Sequence, residues 1–407
     1  MHLPSGRIPS LPTHNPPGPA PWLLAVVGAQ LRWIASLMKP AAAVAIAIVV
    51  IASLFFAHVS FSQSVGGGGP VVVPGDGPPI ETEGHFTATP DGRIVDPDGN
   101  DFVPVGANVS IEGVFDWGGT ADGHSDVALA WGWNTVRLNV LVSDVLPWSW
   151  VSQFGPESFL EDVDEFVREY TDAGIVVIID SHDLFMVPGG ELGVNAPYYN
   201  QINQYWRDTA ARYKNNPYVW FNLHNEPPVQ NEEWYEVNRR SAKVVRDTGA
   251  RNPIVVDAQV WGQDLGAITP QFKGARYSYE PDMAPKIAEE FGNVILSQHN
   301  YGSFDIYTDA GEYGRYVDRV RATGLPLIVG EFGLRTDGIE EWPLQTDHNR
   351  RAVHAVAEVH REKQVGVLWW HANHTDGWSL FRDDTAFFAH RPGTNLSEGG
   401  EVMWALR

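Results

Sequence analysis

From His85 to the C-terminus, short β-branched runs alternate with longer amphipathic segments, and this alternation constrains the chain more than any other feature. The runs that read as strands are FVPVGANV (102–109), TVRLNV (135–140), IVVIID (175–180), VWFNLH (219–224), PIVVDA (253–258), NVILSQH (293–299), PLIVGEF (326–332) and VGVLWW (365–370). Between the second and third, Phe159, Leu160, Val163, Phe166, Val167 and Tyr170 recur at three- and four-residue intervals, the period of a helix with one apolar face. Gly174 follows as a C-terminal stop. Similar helical patterns recur near 202–213, 233–247, 309–323 and 348–361. Repeated strand–helix units build a parallel sheet, which can close into a barrel or stay open and doubly wound. The placement of polar residues separates the two, because a barrel gathers its chemistry at the C-terminal strand ends. Here the strands end in Asn108, Asn139, Asp180-Ser181-His182, His224-Asn225-Glu226, Asp257, His299, Glu331 and Trp370. The expectation is an α/β fold, a (β/α)₈ TIM barrel over residues 85–407.

What precedes the barrel reads as an export device. Residues 1–39 form a short basic segment, and residues 40–61 form an apolar run, AAAVAIAIVVIASLFFA and its continuation to Phe61. That run has roughly the 20 residues a helix needs to cross a bilayer. Lys39 stands before it and the first acid, Asp76, well after it, so the basic flank is expected in the cytoplasm and the body outside. Its length favours a transmembrane anchor; Ser60-Phe61-Ser62 would serve as the cleavage site of a signal sequence instead. Either way the body is extracytoplasmic, tethered to the membrane or secreted. Residues 62–84, rich in glycine and proline, read as a linker without a packed core.

Charge narrows the partners. The net charge is -22, yet residues 1–66 hold Arg7, Arg32 and Lys39 and no acid, so the body carries 25 basic against 50 acidic groups. Such a surface repels phosphate backbones, which argues against nucleic acid and fits a neutral substrate. There are no cysteines, which excludes disulfides, thiolate metal sites and a cysteine nucleophile. No metal or cofactor is expected, since the chain has neither H-E-x-x-H nor an H-x-H at a strand end.

Glu226 and Glu331 each follow a hydrophobic strand, where an uncompensated carboxylate costs several kcal/mol or shifts its pKa. On the fourth and seventh barrel strands they would face each other across the mouth. Carboxylates roughly 5–5.5 Å apart there have the geometry of a retaining glycosidase. Arg137 could supply the positive charge that keeps Glu331 ionised and leaves Glu226 with the proton. The bland alternative is a set of barrel-top ion pairs.

The surrounding words are more specific. VWFNLHNEPP, with Asn225-Glu226-Pro227, resembles the acid/base signature of glycoside hydrolase family 5, the cellulase and β-mannanase clan. Further words follow at matching strand ends: NTVRLNV with Arg137, IIDSHD with His182, SQHNY with His299 and Tyr301, LIVGEFG with Glu331, and VGVLWW with Trp370. The opening DGRIVDPDGNDFVPVGAN resembles the small hairpin and first strand of that family, and the resemblance covers about residues 85–407. It implies Glu226 as acid/base and Glu331 as nucleophile, with Asn225 on the C2 substituent of the cleaved sugar. It further implies that Tyr301 and Arg137 hold Glu331, that His182 and His299 line the subsite, and that Trp370 stacks under the ring. The implied reaction is hydrolysis of a β-1,4-linked polysaccharide or oligosaccharide, glucan or mannan, by double displacement. VVDAQVWGQD (255–264) and His182-Asp183 resemble β-mannanases, whereas WWHANHTDGWSLF (369–381) departs from them. Trp148, Trp150, Tyr198, Tyr199, Trp261 and Trp378 are candidates for subsite stacking, and their spread over several loops points to an open cleft and internal cutting. A non-catalytic carbohydrate-binding protein on a decayed barrel is the rival from another class.

Overall fold

The computed structural model describes residues 84–110, 123–142, 156–182, 197–227, 229, 231–263, 283–335, 346–372, 377–382 and 391–407. The apolar run 40–61 and nearly all of the linker lie outside these residues, as do Trp148 and Trp150. Among the described residues no helix is long and apolar enough to cross a membrane.

A two-stranded antiparallel hairpin, β1 (Thr87–Ala88) and β2 (Ile94–Val95), precedes eight parallel strands. These are β3 (Val105–Ser110), β4 (Thr135–Val140), β5 (Val176–Ser181), β6 (Val219–Asn222), β7 (Ile254–Asp257), β8 (Val294–Asn300), β9 (Leu327–Phe332) and β10 (Gly366–Trp369). They close in chain order, β10 pairing with β3, so the expected barrel is found and the open sheet excluded. The described helices are α1 (His124–Ala130), α2 (Pro156–Asp172), α3 (Pro197–Tyr213), α4 (Asn231–Asp247), α5 (Gln259–Gly262), α6 (Met283–Phe291), α7 (Ala310–Arg321), α8 (Thr346–Lys363) and α9 (Glu398–Trp404). In α2 a proline at the first position suits a helix start, Val163, Phe166, Val167 and Tyr170 are buried, and Gly174 follows at φ 77°.

Strand alternation divides the core in two. Outward residues such as Val177, Ile179, Phe221 and Val256 join the helices in one cluster. Inward residues of the lower barrel, Val176, Ile178, Trp220, Val255, Ile295, Ile328 and Leu368, form a second, which Phe86 and Ile94 of the hairpin region close from below. Phe86 meets Trp220 edge to face at 5.5 Å. Burying each such side chain stabilises the fold by about 1.5–3 kcal/mol, which lets the next inward layer be polar. Moving up the strands the inward positions become Asn108, Arg137, Asn139, Asp180, Asn222, Asp257, Ser297 and His299, all buried.

One strand breaks the alternation. On β9, Ile328 points inward, so Glu331 three residues later belongs by period to the outer face. The register shifts there: Gln298 pairs with Val329 but His299 pairs with Glu331, and a shift appears against β10 as well. This bulge at Gly330 turns Glu331 inward opposite His299.

Candidate active site

Arg137 is the centre of the polar layer and has no exposed surface. Its Nε donates to Asn222 Oδ1 at 2.8 Å, Nη1 donates to Asn108 Oδ1 at 2.9 Å and to Glu331 Oε1 at 2.8 Å, and Nη2 donates to Asn225 Oδ1 at 2.7 Å. Nη2 also meets Asp180 Oδ1 at 3.0 Å and Asp257 Oδ2 at 3.2 Å. Burial alone would loosen the guanidinium proton, but Asp180, Asp257 and Glu331 more than offset this and the net shift is upward. The sequence pairs Arg137 with Glu331 alone, whereas the structure shares it among three acids. Asn222 was missed as a partner, although its inward phase on β6 is the signal that places it there.

Glu331 is 3% exposed, and both its oxygens accept hydrogen bonds: Oε1 from Arg137 and Oε2 from the Tyr301 hydroxyl at 2.8 Å. Burial, with Glu331 next, pushes the Tyr301 phenol well above its usual range, so it stays a donor. Glu226 differs in each respect. Its side chain keeps 18% of its surface open, and its backbone adopts φ 45°, a left-handed conformation uncommon outside glycine. Its N–H donates to Asp257 Oδ2 at 3.0 Å. Burial pushes its carboxyl pKa up and the neighbouring Glu331 pushes it further, against an opposing hydrogen bond from His299.

His299 stands between the two glutamates. Nδ1 faces Glu226 Oε1 at 2.9 Å and Glu331 Oε2 at 3.4 Å, while Nε2 meets Asp257 Oδ2 at 3.3 Å. Burial would lower its pKa, yet Glu331 and Asp257 push it up to about 10. Conversely, burial would raise Asp257, but His299 and Arg137 hold its carboxyl well below the usual range. Counting Arg137 and His299 as cations against Asp180, Asp257 and Glu331 leaves one net negative charge before Glu226 is included. A further charge on Glu226 would add to that excess, which is a physical reason for it to keep its proton.

One atom each of Glu226, His299 and Glu331 lie within 4.8 Å of one another, a spacing that could hold a cation. A histidine pushed up to about 10 presents an N–H instead of a lone pair, so the donor set suits an imidazolium bridging two acids better than a metal.

The remaining predicted residues arrange themselves around this centre. Asn225 is buried, its Oδ1 held by Arg137, and its Nδ2 has no hydrogen-bond partner among the described residues. His182 Nδ1 bonds Asp180 Oδ2 at 2.6 Å, and its ring lies nearly parallel to Trp370, 9° off at 5.2 Å. Trp370 is half-buried and its peptide bond to His371 is cis. Trp261, half-buried at φ 56°, sits on α5 just after β7, and Trp378 meets Tyr301 edge to face at 5.3 Å. Two expectations need correction. Tyr199 is buried on α3 against His224 at 5.8 Å, inside the helix-facing core and unavailable for stacking. His224 leaves the mouth for the helices, with Nε2 2.9 Å from Ser241 Oγ on α4 and its pKa pushed by burial down to about 4.

Known proteins resemble this chain along most of the barrel. The profile of the cellulase family, glycosyl hydrolase family 5, matches residues 95–376. The Beta-mannanase/endoglucanase A of Caldicellulosiruptor saccharolyticus is 30% identical over 59% of this chain, which spans 16% of that protein. The Mannan endo-1,4-beta-mannosidase of Streptomyces lividans is 27% identical, with 77% of this chain and 72% of the relative covered. Among solved structures, the catalytic domain of a mannanase from Streptomyces sp. SirexAA-E superposes with a TM-score of 0.59 at 24% identity, over 86% of this chain and 96% of that one. The catalytic domain of the Thermobifida fusca endoglucanase Cel5A does so with 0.60 at 19% identity, over 81% and 99%. These superpositions share the barrel fold, and with the profile spanning well over half of its length, the chain belongs to the cellulase family, glycosyl hydrolase family 5.

Proposed function

We propose that the chain is a retaining, endo-acting glycoside hydrolase that cleaves a β-1,4-linked glucan or mannan. The observation that carries this reading is the pair of glutamates: the nearest oxygen of one lies within 4.8 Å of the nearest oxygen of the other, and only Glu331 is held by Arg137 and Tyr301. Inverting enzymes keep roughly 6.5–9.5 Å between their carboxyls to admit a water, and retaining ones about 5–5.5 Å. The shorter spacing supports direct attack by one of the two.

Glu331, whose oxygens accept from Arg137 and Tyr301, is the nucleophile. Its carboxylate forms a bond to the anomeric carbon as the glycosidic C–O bond breaks, and Glu226 transfers its proton to the leaving oxygen. Glu226, now ionised, takes a proton from water, which displaces Glu331 and returns the anomeric configuration to its starting sense. The unpartnered Nδ2 of Asn225 is suited to a sugar hydroxyl at the cleavage site, and the half-buried Trp370 ring to the sugar face. Relatives named as mannanases and endoglucanases support both substrates.

The test is release of reducing ends from galactomannan, carboxymethylcellulose, mixed-linkage glucan and xylan, with Glu331→Ala as control. Activity on one polymer, abolished in the control, is expected. First-formed product of inverted configuration would exclude the double displacement. Activity on none would favour a binding protein.

We also infer that residues 1–39, 40–61 and 62–84 act as cytoplasmic segment, anchor or signal sequence, and linker, which places the barrel outside the cytoplasm. Membrane fractionation of the full chain, with N-terminal sequencing of any soluble form, tests this. Intact soluble protein in the cytoplasm would oppose it.

A further inference from the structure

Asp257, at the end of β7, has no exposed surface. Yet its Oδ2 draws three parts of the site together: it accepts from the Glu226 N–H at 3.0 Å and from Arg137 Nη2 at 3.2 Å, and it pairs with His299 Nε2 at 3.3 Å. Its Oδ1 accepts from Asn222 Nδ2 at 3.2 Å. The segment that follows returns to the same imidazole. A Cβ on Gly262 would stand 2.7 Å from His299 Cγ, so the Gly262 backbone, at φ 69°, lies directly on the ring. Segment 257–262 thus holds His299 at one nitrogen and across one face, leaving Nδ1 aimed at Glu226 Oε1. The backbone of Glu226 is left-handed, a conformation a non-glycine residue keeps only under constraint, and the bond from its N–H to Asp257 ties it down.

We propose that Asp257 is a positioning residue for proton donation: it fixes the Glu226 main chain and the His299 ring together, so that the Glu226 carboxyl meets the leaving oxygen in one orientation. The proposal rests on the reading of Glu226 as acid/base. Asp257 touches no substrate and exchanges no proton with it. Asparagine at this position keeps the shape but not the function, because its amide must lose an acceptor toward Asn222 or toward the two donors at Oδ2, and it carries no charge to pair with His299.

The experiment compares the full chain with Asp257→Asn and Glu226→Ala on two kinds of substrate. One is the polymer it hydrolyses, carboxymethylcellulose or galactomannan; the other is 2,4-dinitrophenyl β-cellobioside or β-mannobioside, whose leaving group departs without protonation. Positioned acid catalysis is worth about 100-fold or more. Asp257→Asn is expected to lose about that much in kcat/KM on the polymer and far less on the aryl glycoside, repeating the pattern of Glu226→Ala. Equal losses on both substrates, with Glu226→Ala still selective, would overturn this inference alone. A Glu226→Ala enzyme without selectivity would remove the acid role of Glu226 and the proposed function with it. Should Asp257→Asn fail to fold, ¹⁵N NMR of the wild-type imidazoles decides. A proton on His299 Nε2, facing Asp257, is expected, and a bare Nε2 would overturn the proposal.

Discussion

Gly330 and Ser297 leave each other no room: a Cβ on Gly330 would stand 2.1 Å from Ser297 Oγ, and 3.1 Å from His299 Nε2. The same glycine is the extra residue of the bulge that turns Glu331 inward, and its carbonyl accepts from Asn108 Nδ2 at 2.9 Å. The closest neighbours on β8 and the aim of Glu331 therefore depend on one missing side chain.

Gly330→Ala should lower stability by about 1–3 kcal/mol, the usual cost of overpacking a filled interior. It should lower activity by about 100-fold, since a 1 Å displacement of a reacting group costs that much. Adding Ser297→Gly, which removes the nearest atom, should restore part of both. Urea denaturation and kcat for the two single variants and the double variant measure the coupling; strictly additive effects would mean that the two residues do not contend for the same space.

This bulge marks where the sequence stops being legible. TVRLNV is the strand Thr135–Val140 residue for residue, because a short run rich in β-branched residues, opening after the turn at Gly132, leaves little choice. The inward phase of Arg137, Asp180 and Asp257 could be read the same way. Glu331 could not be placed by period, since alternation from Ile328 sends it outward, and only its word, LIVGEFG, put it in the site. His224 failed for the opposite reason: it continues an apparent strand that the backbone leaves after Asn222. The six-partner arrangement of Arg137 draws on strands far apart in the chain, and no local pattern encodes which neighbours a closed barrel will bring to one guanidinium. α1, α6 and α9 are short, and a helical period is hard to see over seven to nine residues.

Arg137→Met leaves Asp180, Asp257 and Glu331 around a buried site with no guanidinium. Removing one partner from a buried charge cluster costs about 3–5 kcal/mol, and the loss should be smaller at pH 4 than at pH 7, because protonating the stranded acids relieves it. Arg137→Lys should recover little, as an ammonium cannot reach in the directions that the planar fork serves. Denaturant unfolding at the two pH values checks both; a lysine variant as stable as wild type would show that charge alone suffices.

Tyr301→Phe deletes the hydroxyl that donates to Glu331 Oε2 while preserving the ring that meets Trp378. A hydrogen bond to a charged group contributes about 1.5–3 kcal/mol, so kcat/KM should fall roughly 10- to 150-fold with little change in unfolding midpoint. If stability falls in proportion to activity instead, the hydroxyl serves the fold more than the chemistry at Glu331.

His299 gives the protein a pH dependence of definite sign. Its pKa rises from 6.5 to about 10 on folding, because Glu331, Asp257 and Glu226 outweigh the effect of burial. The stabilisation this represents is complete below pH 6.5, declines as pH rises, and is gone above about 10. Asp257 works from the other side: its lowered pKa stabilises the fold above 3.8, and that contribution is lost as the solution becomes strongly acidic. His299→Gln cannot carry the charge and should be less stable than wild type at pH 6. Between pH 7 and 10 wild type should lose stability faster than the variant, so the gap between them narrows as the imidazolium gives up its proton. Urea midpoints at pH 6, 8 and 10 supply the comparison. A gap that stays constant across that range would mean that His299 is already neutral in the folded protein, and the bridge between Glu226 and Glu331 would then be a single N–H on an uncharged ring.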